Sequence, residues 1–106
     1  MIKKLNDQEM IEVLNNNENF IMVLAMGHDC GLCHAAEFKI AHVYAKKFPN
    51  ISIYNIDITE NPLFRGNHIV FRTPTLLIFE KSKEIFRESG FIKWENLDSF
   101  LKKIYD

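Results

Sequence analysis

Cysteine is scarce in this chain, with two in 106 residues. That excludes a disulfide-stapled miniprotein, because such scaffolds are cysteine-dense. Proline (three) and glycine (four) are also few, which excludes collagenous and low-complexity chains. No charge sign dominates: 13 basic and 14 acidic residues give a formal net charge of −1. The basic footprint of a nucleic-acid binder and the polybasic face of a membrane-surface protein are both missing. The longest apolar run, Phe20 to Met26, is far too short to span a bilayer. Nor does the start read as a secretory signal. After Lys3-Lys4, polar Asn6-Asp7-Gln8-Glu9 stands where an apolar segment would be needed. We expect a cytoplasmic protein without nucleic-acid or membrane partners. What is present suits one domain over residues 1–106. With 47% apolar residues, a chain of this length can build a core without staples.

The pattern along the chain alternates helix and strand. Asn6 and Glu9 form a capping box, with Leu5 and Met10 placed as a hydrophobic staple. Met10, Ile11 and Leu14 then predict a helix to about Asn16, broken by Asn15-Asn16-Asn17. Phe20–Met26 is apolar on both faces and suits a central parallel strand. Helical spacing runs from Gly31 to Phe48 and stops before Pro49-Asn50. Ile51–Ile58 reads as a second buried strand, and Glu60 to about Asn67 as a short helix opened by Asn61-Pro62. Thr75–Phe79 and Glu84–Ser89 are two more strands, joined by a tight Lys81-Ser82-Lys83 turn that lacks glycine. Gly90 breaks the last strand. Trp94, Leu97, Phe100, Leu101 and Ile104 stripe a final helix. The early alternation implies parallel crossovers and the late short turn an antiparallel hairpin. The expected class is α/β: a mixed sheet of four to five strands with helices on both faces.

The chemistry centres on His28-Asp29-Cys30-Gly31-Leu32-Cys33-His34, which holds both cysteines at Cys-x-x-Cys spacing. Cys30 falls where the long helix begins. Unpaired N–H groups and the helix dipole favour a negative sulfur there. Cys33 lies about one turn later, so the sulfurs can bond to each other while occupying unequal environments. Cys30 is the expected nucleophile and Cys33 the shielded resolving sulfur. Gly31 leaves room for a substrate disulfide, and Leu32 fills the remaining place between the cysteines. A protonated His34 would favour a thiolate and Asp29 would oppose it; His28 also stands close enough in sequence to tune it.

Two other chemistries use the same residues. Zinc could take Cys30, Cys33, His28 and His34, although structural zinc sites usually join two separated ligand pairs. His42 or His68 could complete such a site only if the fold brought them near. Cys-x-x-Cys-His is also a haem-attachment signature, but haem attachment goes with export and a helical fold. Thiol–disulfide exchange is the favoured reading, with no metal and no permanently bound cofactor. Trp94 is expected as a packing anchor, and Phe38, Tyr44, Phe48, Phe79 and Phe86 as core or sheet-face residues. Met26 either lines a groove or simply ends its strand. Lys3-Lys4 and Lys102-Lys103 read as solvated ends.

The chain resembles the thioredoxin family over most of its length. Carrying residues are Phe20–Met26, Cys30-Gly31-Leu32-Cys33, Asn55-Ile56-Asp57, Arg72-Thr73-Pro74-Thr75 running into Leu76-Leu77-Ile78-Phe79, and Gly90 before the last helix. The resemblance implies the thioredoxin fold and thiol–disulfide oxidoreductase activity. It also implies a cis Thr73–Pro74 bond against the dithiol, with the backbone of Thr73 pairing with bound substrate chain. Expected partners are disulfide-containing proteins and an upstream disulfide reductase, with the chain acting as a monomer. The alternative is a non-catalytic binding or redox-sensing module on the same fold.

Departures from the family pattern cluster around the site. Asp29 replaces a tryptophan, Leu32 a proline between the cysteines, and Phe38 the proline that kinks the long helix. Leu24 stands where the family has a buried aspartate, and Ile53 where it has the accompanying lysine. The group that helps move the Cys33 proton is therefore gone. We expect slow release of the mixed disulfide near neutral pH, with the proton leaving through water or His34.

Overall fold

The structure, a computed structural model, describes residues 2–16 and 19–105. Its elements are β1 (Lys3–Lys4), α1 (Asp7–Asn16), β2 (Phe20–Met26), α2 (Gly31–Lys39), a π-helical segment (Ile40–Tyr44) and α3 (Ala45–Lys47). Then come β3 (Ser52–Asp57), α4 (Pro62–Asn67), β4 (Thr75–Glu80), β5 (Lys83–Ser89) and α5 (Trp94–Tyr105). One five-stranded sheet has the order β1-β3-β2-β4-β5. β3 is parallel to both β1 and β2, whereas β4 is antiparallel to β2 and β5. The expected mixed sheet is therefore present, with its antiparallel part at the late hairpin.

Side-chain alternation on β2 and β4 builds two cores. Ile21, Val23, Ala25, Leu77 and Phe79 face α1 and α4. Met22, Leu24, Leu76 and Ile78 face the long helix and α5. Each fully buried Leu, Ile or Met contributes about 1.5–3 kcal/mol, so β2 is anchored from both sides.

The capping box forms as read: Glu9 N–H donates to Asn6 Oδ1 at 2.9 Å and Asn6 N–H to Glu9 Oε1 at 3.0 Å. The break expected through Asn17 lies outside the described residues. A second cap was hidden in the sequence because its partners are remote. The Asp7 carboxylate accepts N–H groups of Leu63 and Phe64 at 3.0 and 2.8 Å, and Asn61 Oδ1 accepts Asp7 N–H at 2.8 Å. These bonds tie the starts of α1 and α4 together.

Three expectations need correction. Lys3-Lys4 is not merely a solvated end. Its side chains are exposed, but its backbone pairs with Tyr54 and Asn55 as β1. The helix expected over Gly31–Phe48 is continuous to Lys47 but interrupted by the π segment. Phe38 is not a core residue: it is 66% exposed and stacks on His42 at 4.1 Å between centroids. The inward register is Cys33, Ala36, Ile40 and Tyr44. Phe38, two residues from both Ala36 and Ile40, is turned roughly 200° away from them. Tyr44 and Phe79 are buried as expected, and Phe48 and Phe86 half-buried.

Candidate active site

Cys30 and Cys33 form a disulfide, with 5.2 Å between their Cα atoms. β2 delivers the chain to them through Gly27, His28 and Asp29. Asp29 adopts φ 51°, a conformation that Asp tolerates better than most residues. Cys30 is the N-cap of α2, extended at φ −113°, ψ 95°, and its Sγ accepts the Cys33 N–H at 3.2 Å. The two sulfurs are unequal: Cys30 is half-buried, and Cys33 has no exposed surface. A Cβ on Gly31 would meet nothing within 4 Å, so the approach beside Cys30 is open.

The Thr73–Pro74 peptide bond is cis. Its loop is pinned on both sides. Gly90 N–H donates to Pro74 O at 2.8 Å, and Thr75 Oγ1 donates to Arg72 O at 2.6 Å. Gly90 sits at φ 75°, a left-handed conformation that favours glycine; the Arg72 guanidinium packs over it. Pro74 lines a groove of about 230 Å³ with Leu32, Ala36, Lys39, Phe91 and Trp94. Leu32 and Phe91 are 42% and 80% exposed and give this groove an apolar rim. Trp94 also stacks on Tyr44 at 5.5 Å, the packing role expected of it.

A second cleft, of about 550 Å³, opens between the Gly27–Asp29 turn and the end of β3, with Met26, His34, Glu37 and Asp57 among its walls. His28 turns into this space: its Nε2 lies 2.8 Å from Asp57 Oδ2 and 3.4 Å from Glu60 Oε2. Burial works to raise the Asp57 carboxyl. Donation from Thr59 N–H, the His28 charge and the Glu60 N–H outweigh it and hold the group below its usual range. His34 is exposed at the mouth.

The four zinc donors considered from sequence are not gathered together. The sulfurs are joined to each other and His28 is engaged with two carboxylates. His42 stacks on Phe38. His68 packs on Phe64 and Phe79, on the opposite face of the sheet. His28, Asp57 and Glu60 do bring ligand atoms within 4.8 Å of one another, a donor set that sequence reading missed. It also missed the contact in which Asn55 Nδ2 donates to Glu37 Oε2. Strand alternation could have put Asn55 and Asp57 on one face, but only the fold brings Glu37 over Asn55.

Residues 1–103 match the Thioredoxin family model. The chain belongs to the thioredoxin family. It is 30% identical over 95 residues to a thioredoxin-like protein, YdfQ, of Bacillus subtilis (strain 168), covering 90% of this chain and 84% of that one. It is 28% identical over 103 residues to the thioredoxin of Chlamydia trachomatis serovar D, covering 90% and 96%. In fold it is similar to Fasciola hepatica thioredoxin, with a TM-score of 0.81 at 21% identity over 95% of this chain and 98% of the other. Thioredoxin-family membership together with a Cys-x-x-Cys pair at disulfide distance makes the chain a thiol–disulfide oxidoreductase.

Proposed function

We propose that Cys30 is the attacking sulfur and Cys33 the resolving one. The Cys30 thiolate attacks a substrate disulfide; one substrate sulfur leaves with the bonding pair and takes a proton. Cys33 then attacks Cys30 Sγ, forming Cys30–Cys33 as the bond to the second substrate sulfur breaks. The observation that supports this order is the asymmetry of the pair. The half-buried N-cap sulfur accepts an N–H, and its partner has no exposure at all.

Disulfide-bearing proteins are the substrate class, and an upstream disulfide reductase restores the dithiol. The Thr73 backbone and Pro74 position the substrate chain, with Gly31 and Leu32 flanking the reacting sulfur. His34, His28 and Asp29 tune the dithiol. His34 does so from the cleft mouth, and His28 from its contact with Asp57 beside the same cleft. The chain acts as one domain, as a monomer, in the cytoplasm, without a bound cofactor.

A Cys33→Ser variant tests the order of attack. It should accumulate a covalent adduct to disulfide-bearing proteins through Cys30. Absence of any adduct, with Cys30 no more reactive than a free thiol, would instead favour a non-catalytic binding module.

A further inference from the structure

Release of substrate requires Cys33 to lose its proton, because the thiolate is the species that attacks a disulfide. Cys33 has no exposed surface, so bulk water does not reach it. The strand beneath the helix offers no acceptor either, since Met22 and Leu24 are apolar and fully buried. One carboxylate does stand on the Cys33 side of the helix. Glu37 follows Cys33 at i, i+4, about 40° around the axis, against about 100° for His34. Helical side chains lean toward the N-terminus, so Glu37 lies over the turn that carries Cys33. Glu37 is half-buried, and Asn55 Nδ2 donates to its Oε2. Asn55 is itself buried and lies in register opposite Leu24.

We propose that Glu37, held by Asn55, takes the Cys33 proton, directly or across one water in the cleft, and returns it to the departing substrate sulfur. This rests on the order of attack proposed above. The proton leaves Cys33 Sγ for the carboxylate, the Cys30–Cys33 bond forms, and the Cys30–substrate bond breaks. The substrate sulfur departs with the electron pair and receives the proton. Other charged groups face the same cleft: Lys4 from β1, His28 and Asp29 from the turn, His34 from α2 and Asp57 from β3. Asp57 is already committed, with Oδ1 accepting Thr59 N–H at 2.8 Å and Oδ2 paired with His28.

The test mixes reduced protein with one equivalent of a disulfide-bonded peptide. Acid quenching at intervals follows the mixed disulfide and the released peptide by mass. Glu37→Gln keeps an oxygen for Asn55 but cannot take a proton. Mixed-disulfide formation should stay within about twofold of the wild type. Its resolution at pH 7 should slow by at least about tenfold, a positioned base typically supplying roughly 10²–10⁴-fold. The gap should narrow as pH rises toward about 9, because hydroxide increasingly replaces the carboxylate as acceptor of the thiol proton. Glu37→Asp, which keeps the acid, should retain the wild-type pH profile. Unchanged resolution in Glu37→Gln overturns the proposal, and so does a deficit equal at every pH, which mere loss of packing would give. If the wild type yields neither mixed disulfide nor released peptide, the exchange reading itself fails. If formation is normal and Glu37→Gln resolves normally, only the Glu37 role falls.

Discussion

Leu24 has no exposed surface and lies among Met22, Ala36, Ile40 and Leu76. A carboxylate placed there would be desolvated with no partner. Leu24→Asp should therefore cost about 3–5 kcal/mol at pH 7. The loss should shrink at lower pH, where the buried carboxyl is neutral. Adding Ile53→Lys should recover part of it, since Ile53 packs against the same cluster. Urea titrations at two pH values check all three statements. His68 supplies a second pH dependence. Burial lowers its pKa; Glu84 opposes this and Arg87 adds to it. The unfolded chain then takes the proton first. Stability from this group is intact above about pH 6.5 and falls as pH drops through the lower folded value. In His68→Gln, the drop in Tm between pH 7 and pH 5 should be smaller than in the wild type. At this scale the sequence was informative where chemistry is written in neighbours: Cys30, Cys33 and Thr73-Pro74 were legible. Glu37–Asn55 and His28–Asp57 were not, because each pair spans two elements whose facing is set only by the fold.

Among the elements, the long apolar runs declared themselves and the strained short connections did not. The turn after β4 is Lys81-Ser82, with φ 50° and 70°, the positive pair that a two-residue hairpin of type I′ demands. Neither residue favours that conformation, so the turn type could not be read. Ser82 Oγ donates to Leu14 O at 2.5 Å, which holds the turn against the end of α1. β5 also carries a register shift opposite Ile78 and Phe79, leaving Ile85 unpaired. β1 was invisible because two lysines show no strand alternation. The π segment was invisible because Ile40 and Tyr44 suit an ordinary helix equally well. Ile69 marks a further departure. It follows α4 at φ 53°, where a helix usually ends on glycine, and is 65% exposed. Ile69→Gly should raise stability by about 1 kcal/mol, the cost of a left-handed β-branched residue. A denaturant midpoint higher than the wild type's would agree with this; a lower one would mean that Ile69 contributes packing that outweighs its strain.

For the whole molecule, the two cores hold β2 rigid and aim its end at the dithiol. The pinned Pro74 loop sets one wall of the site, and the polar cleft around Glu37 sets the other. An apolar groove lies on one side and a titratable cleft on the other; in the proposed mechanism the first would meet substrate and the second would take the proton. The unequal burial of the two sulfurs follows from that placement: Cys30 caps the helix at the surface and Cys33 faces the sheet. The most direct measurement is alkylation of the reduced protein by iodoacetamide across pH, with each cysteine quantified by mass. Cys30 should react about tenfold faster than free cysteine at pH 7, as an N-cap thiolate does, while Cys33 stays protected. Equal reactivity of the two sulfurs, or a Cys30 no faster than free cysteine, would contradict the assignment.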